Sequence, residues 1–121
     1  MPHPFAYVEL HSQDPRKATD FYKKLFDWKT SASETPGGTY TELEPGEGIS
    51  GGLLSTRGTA PSAWVVYVKV DDVEVATRRA AELGAKVLTS KQHVPDTGWF
   101  SLCTDPAGAV FGLWQPMPGR K

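Results

Sequence analysis

Apolar and polar positions alternate along 5-FAYVEL-10. Phe5, Tyr7, Glu9 and His11 fall on one face of a strand, and Ala6, Val8 and Leu10 fall on the other. The second set is wholly apolar and is expected to pack under helices, so the Tyr7 set is expected to face a cavity. After Asp14 the period changes. Ala18, Phe21, Tyr22 and Leu25 recur at helical spacing and predict a helix with one apolar face. Asp14 stands where an N-cap carboxylate accepts from free backbone N–H groups, and Pro15 suits the first turn. Three short strands are predicted next, near 28–34, 39–44 and 49–54. The order then returns. It runs through a strand over 64-WVVYVKV-70, an N-cap at Asp72, and a helix carrying Ala76, Ala80 and Leu83 that stops at Gly84. Strands near 86–91, 99–104 and 109–115 complete the second half.

The recurrence is visible in the residues themselves. Shifted by 58 positions, 7-YVELHSQDPRKATDFYKKLF-26 falls on 65-VVYVKVDDVEVATRRAAELG-84; shifted by 60, 48-GISGGLL-54 falls on 108-GAVFGLW-114. The chain therefore predicts an α+β fold of two tandem βαβββ modules, about 5–54 and 64–115. A polar linker, 55-STRGTAPSA-63, joins them within one domain of 121 residues.

Composition narrows the classes. The formal net charge is −1 with both signs interspersed, which leaves no nucleic-acid or membrane footprint. One cysteine, Cys103, rules out an internal disulfide framework and is expected to pack as a small apolar group. MPHPFAYVEL has no charged segment followed by a long apolar one, and no apolar run reaches membrane-spanning length. The expectation is a soluble cytoplasmic protein, with His3 and the 116-PMPGRK-121 tail as loose ends.

The last two strands meet at Asp105-Pro106-Ala107-Gly108, a tight turn in which Pro presets φ and Gly takes a left-handed residue. Beyond it, Gly112 interrupts Val110, Phe111, Leu113 and Trp114, and a glycine inside a strand marks close approach by something else. The runs 14-DPRKATDFY-22 and 105-DPAGAVFGL-113, within the duplicated order, resemble the glyoxalase/bleomycin-resistance/extradiol dioxygenase (vicinal oxygen chelate) superfamily. The resemblance implies paired modules whose curved sheets enclose a cavity, with helices outside, and a homodimer. It also implies a metal held by the first and last strands of each module. Carried over, those positions are Tyr7, Val65, Gly52 and Gly112, none of them an ordinary divalent-metal ligand. The expectation is no metal and no cofactor, with Gly51-Gly52 and Gly112 opening the cavity floor.

Glu9, His11, Glu42 and His93 remain as acid, base or metal candidates. Glu9 and His11 lie two apart on a strand face and read as a polar rim or a hydrogen-bonded pair. Glu9 is the catalytic candidate, set against an ion pair with Lys69. His11 is expected to be exposed and His93 to be a loop histidine. Phe5, Tyr7, Tyr67, Trp99 and Trp114 are candidates to line the cavity, whereas Trp28 and Trp64 are assigned to the core. The ligand-binding set is Tyr7, Glu9, His11, Tyr67, Lys69, His93, Trp99, Gly112 and Trp114. Two functions compete: a metal-free module binding a small flat organic molecule, and a lyase, isomerase or dioxygenase-like enzyme with a relocated site at Glu9, His11 or His93.

Overall fold

The computed structural model of the chain describes residues 2–56 and 58–119. Its elements are β1 (Phe5–Ser12), α1 (Pro15–Phe26), β2 (Lys29–Thr35), β3 (Gly38–Glu44) and β4 (Gly51–Ser55), then β5 (Ala63–Lys69), α2 (Val73–Glu82), β6 (Lys86–Val94), β7 (Gly98–Thr104) and β8 (Val110–Pro116). This is the α+β duplication βαβββ–βαβββ. The chain divides into two compact units, Tyr7–Val65 and Val66–Lys121 with Met1–Ala6.

In the first unit the strands run β2-β3-β4-β1. β1 and β4 are parallel, with Val8 opposite Gly51 and Glu9 opposite Gly52, and the remaining neighbours are antiparallel. Leu10, Leu43 and Leu53 form the core on one face, packed by Ala18, Tyr22 and Trp28. Each such buried leucine contributes roughly 1.5–3 kcal/mol. Asp14 caps α1 by accepting from Lys17 N–H at 3.1 Å, Pro15 opens the helix, and Asp27 ends it in a left-handed conformation, φ 56°. The helix presents Ala18 and Tyr22 to the sheet, while Phe21 and Leu25 of the same apolar stripe stay exposed. Trp64, assigned to the core from sequence, is 43% exposed because it stands at the start of β5, edge-on to Tyr22 rather than beneath it.

In the second unit the order is β5-β8-β7-β6, again with one parallel pair, β5 with β8. Val70, Val73, Cys103 and Leu113 form its core, so Cys103 does pack as an apolar side chain. Asp72 caps α2 through Glu74 and Val75 N–H, and Gly84 follows the helix at φ 108°. The helix buries Val73 and Thr77, whereas Leu83 lies beyond its last turn and is exposed. At the β7–β8 turn, Asp105 accepts from Ala107 and Ala109 N–H while Gly108 takes φ 97°.

Two ends differ from expectation. β6 continues to Val94 through two register shifts, between Val87 and Thr89 and between Thr89 and Gln92. The fully buried Ser101 hydroxyl pins this irregular stretch by accepting from Lys91 N–H at 3.0 Å and bonding Thr77 Oγ1 at 2.7 Å. The tail is also tied down: Pro116 ends β8, Met117 N–H donates to Thr97 O, and His3 Nδ1 bonds Lys69 O at 3.0 Å. The rest of the expected loose end, Arg120 and Lys121, lies outside the described residues. Among the described residues no helix is long and apolar enough to cross a membrane.

Candidate functional site

Strand alternation places Tyr7, Glu9 and His11 of β1 on the first unit's sheet face opposite α1. Register then adds Gly52 of β4, directly opposite Glu9, and Glu42 of β3, directly opposite Gly52. Tyr40, two residues before Glu42, shares that face. Four of these side chains form one hydrogen-bonded chain. His11 Nε2–H donates to Glu9 Oε1 at 2.8 Å, and Tyr40 Oη–H donates to Glu9 Oε2 at 2.9 Å. Tyr40 and Tyr7 share a short hydroxyl–hydroxyl bond. Because the single Tyr40 proton is directed to the carboxylate, Tyr7 is the donor in that bond. Glu9 is buried, and the His11 side chain is only 18% exposed, which corrects the expectation of a solvent-facing imidazole. Its hydrogen bond to Glu9 holds it in.

The glycine positions also differ from expectation. A Cβ built on Gly52 would overlap the Tyr40 hydroxyl and come within 2.6 Å of Tyr7 Oη. The space is taken by phenols, and no open floor lies there. At Gly112 the same holds with a different tyrosine. Tyr67, directly opposite on β5, lays its ring across the glycine, with Cγ 2.7 Å from a built Cβ. Phe100 meets that ring edge-on, centroids 6.1 Å apart. Ring-over-glycine packing restores cross-strand contact where the strand itself has no side chain. A shift of 60 carries Gly52 to Gly112 and Tyr40 to Phe100, whereas the first strands repeat at 58, so that Tyr67 answers Glu9, each standing opposite its glycine. The shift of 60 was the signal by which Tyr40, missed from sequence, was identifiable.

The remaining candidates separate. His93 is in β6, not in a loop; it pairs with Trp99 of β7 and stacks on it, centroids 5.3 Å apart. Its unit contains neither Glu9 nor His11. Lys69 and Trp114 face each other in β5–β8 register. Phe5 is 67% exposed at the start of β1. Val65 is a core residue, 2% exposed.

The electrostatics of the chain follow from its burial. Desolvation pushes the Tyr7 phenol up to about 12; the Tyr40 bond opposes this, while the Glu9 and Glu42 carboxylates reinforce it. Tyr40 is raised further, by burial first and by Glu9 next. A phenol raised in the folded state stabilises the fold fully below its ordinary value near 10, and that contribution is lost as pH rises through about 12. In a native-state absorbance titration, Tyr7 and Tyr40 are therefore expected to stay protonated at about pH 11, with stability falling on the alkaline side. Four tyrosines ionising together near pH 10 in the folded protein would contradict this assignment.

The same geometry tests the metal that the resemblance implies. Tyr7 is already bonded to Tyr40, Gly52 is covered by both hydroxyls, Val65 is apolar core, and Gly112 is covered by the Tyr67 ring. Those four positions do not fit a divalent ion. Among the described residues, no group of three or more His, Cys, Asp or Glu side chains is placed to hold one.

Comparison with known proteins agrees with the fold. Residues 7–114 match the Glyoxalase-like domain family. The Mycobacterium bovis protein called "Putative glyoxylase CFP32" is 31% identical over 112 residues, covering 91% of this chain and 43% of that protein; the Mycobacterium tuberculosis protein of the same name gives the same figures. The chain thus spans less than half the length of these relatives. The solved structure of hypothetical protein BH1468 from Bacillus halodurans C-125 superposes with a TM-score of 0.74 at 12% identity, over 100% of this chain and 99% of that one. Methylmalonyl-CoA epimerase from Mycobacterium tuberculosis does so at 0.69 and 14%, over 94% and 88%. The chain belongs to the Glyoxalase-like domain family of the vicinal oxygen chelate superfamily.

Proposed function

We propose that this protein binds a small, flat organic molecule on the Tyr7/Glu9/Tyr40 face of its first unit, without the metal of the wider superfamily. One observation carries the reading: two phenol hydroxyls converge over Gly52, where the resemblance would put a metal ligand. Phenol rings offer a ligand apolar area together with hydroxyls that hydrogen-bond, the mixture typical of small-molecule sites. The test is a thermal-melt screen of millimolar aromatic acids, phenols and amines, since a ligand of the folded state must raise the melting temperature. A hit is expected to lose roughly tenfold in affinity in Tyr40→Phe, the worth of about one hydrogen bond. A hit indifferent to Tyr40→Phe, or a screen with none, contradicts the assignment.

A second reading, acid–base catalysis, is favoured by the unbroken chain His11–Glu9–Tyr40–Tyr7. Such a chain passes a proton from a ligand at Tyr7 through Tyr40 to the Glu9 carboxylate, which His11 orients, using groups of one unit only. In that case Glu9→Gln abolishes turnover, whereas substitution of His93 leaves it unchanged. A small-molecule binder shows no turnover to lose.

A further inference from the structure

We infer that α1 is a membrane-surface helix, which seats this protein peripherally on a bilayer rich in anionic lipid. The inference is independent of the ligand reading, whose residues lie on the other face of the sheet. α1 has a strongly apolar stripe, yet none of its residues is buried. Phe21, Leu25 and Phe26 of the helix, together with Ile49 and Trp64, are each 43–57% exposed. Two partly buried rings join them. Tyr22 lies 5.0 Å from Phe21 and 5.6 Å from Trp64, while Trp28 lies 4.9 Å from Phe26 and shares a hollow with Ile49 and Trp64. A half-exposed aromatic side chain leaves on the order of 100 Å² in water, so the five residues present roughly 400–500 Å², the size at which an apolar patch marks a binding surface.

Charge identifies the occupant. The near-neutral total conceals a local excess: α1 carries Arg16, Lys17, Lys23 and Lys24 against one acid, Asp20, a local charge of +3 in a chain of net −1. On α2, by contrast, Arg78 and Arg79 are balanced by Glu74 and Glu82, and the helix buries Val73 and Thr77. All four α1 cations are exposed. The ion pairs of the described residues, Glu9–His11, Glu82–Arg79 and Glu74–Lys91, engage none of them. Lys17 and Lys24 stand four residues before and three after Phe21, on the same side of the helix. Lys17 lines one groove with Phe21 and Tyr22. Exposed aromatics bordered by lysines, with Tyr and Trp at the edge, are the make-up of a helix that lies in the plane of a bilayer surface. Its apolar side chains enter the boundary between headgroups and acyl chains, and its cations meet anionic headgroups. No helix among the described residues is long and apolar enough to cross a membrane, and this mode of attachment requires none.

Co-sedimentation of the full chain with vesicles tests this, using equal parts phosphatidylglycerol and phosphatidylcholine against phosphatidylcholine alone. The wild type is expected to bind the anionic vesicles with a blue shift of tryptophan emission, and to bind them less as salt rises. Each cation near an anionic surface strengthens binding about fivefold, so Lys17→Glu with Lys24→Glu should weaken it by at least about twenty-fold. Phe21→Ser with Leu25→Ser should abolish the emission shift. Arg78→Glu with Arg79→Glu changes the net charge by the same amount on α2 and should leave binding within about twofold of the wild type. Circular dichroism confirms that each variant is folded; if the double lysine reversal is not, Lys17→Gln with Lys24→Gln replaces it. Absence of binding at low salt overturns the inference, and so does equal binding to both vesicle types. Equal weakening by the α1 and α2 reversals overturns it as well, because overall charge would then account for the binding. A particle of twice 13.2 kDa that ignores vesicles also overturns it, since another copy would then cover the face.

Discussion

Gly112→Glu, which returns to β8 the acidic residue that the superfamily ending would place there, is expected to lower stability by more than about 2 kcal/mol and to create no metal site. Two effects add. The new Cβ falls within the Tyr67 ring, and overpacking of this kind typically costs 1–3 kcal/mol. The carboxylate also enters a row whose directly opposite neighbours are Tyr67 and Leu102, with Phe100 against the Tyr67 ring, so it is desolvated among apolar groups. For a chain of this length the melting temperature should fall by on the order of 10 °C. A double-mutant cycle assigns the cause. Gly112→Ala should be costly beside Tyr67 and far less so in a Tyr67→Ala background, a coupling of about 1 kcal/mol or more. Equal costs in the two backgrounds would remove Tyr67 as the reason that position 112 is glycine.

Glu9→Ala is expected to be the most damaging substitution in the first unit's polar chain. The carboxylate is buried and accepts from both His11 and Tyr40. Hydrogen bonds to a charged group contribute about 1.5–3 kcal/mol, and removing the acceptor also leaves a desolvated phenol O–H behind. A loss of about 2–3 kcal/mol in urea unfolding is expected, with the midpoint lowered and the slope unchanged. Glu9→Gln should cost less, since an amide oxygen still accepts from Tyr40. Tyr40→Phe should cost less again, because the ring keeps its packing over Gly52 and the Glu9 carboxylate keeps its bond from His11. If Glu9→Ala and Tyr40→Phe prove equally mild, the chain is a surface arrangement without structural weight.

Much of the fold was legible because its punctuation is local. Asp14 with Pro15, Asp72, Gly84 and Gly108 each mark a helix or turn boundary through chemistry confined to a few residues, and each stands at that boundary in the structure. The pairing of Glu9 with His11 was equally legible, because residues two apart on a strand share a face. What lay beyond the sequence reading depends on contacts across strands. Periodicity assigns Phe21, Tyr22 and Leu25 to one helical stripe but does not say which of them the sheet receives; it receives Tyr22. His93 was expected in a loop because nothing local announces that Ser101, ten residues on, pins the bulges that carry β6 past it. The vacancies expected at Gly52 and Gly112 turned out to be filled. A missing side chain is visible in a sequence, whereas the ring that leans over it from a neighbouring strand is not.

The central claim is that tyrosines stand where a vicinal oxygen chelate protein would hold its metal. Elemental analysis of the purified protein, followed by thermal melting with Ni²⁺, Zn²⁺, Mn²⁺ and Fe²⁺, tests it most directly. The predicted result is no stoichiometric metal and no shift of the melt with any of the four ions, in the wild type and in Tyr40→Phe alike. Retention of one metal per chain, lost in Glu9→Ala, would contradict it and place a metal at the Glu9/His11 pair.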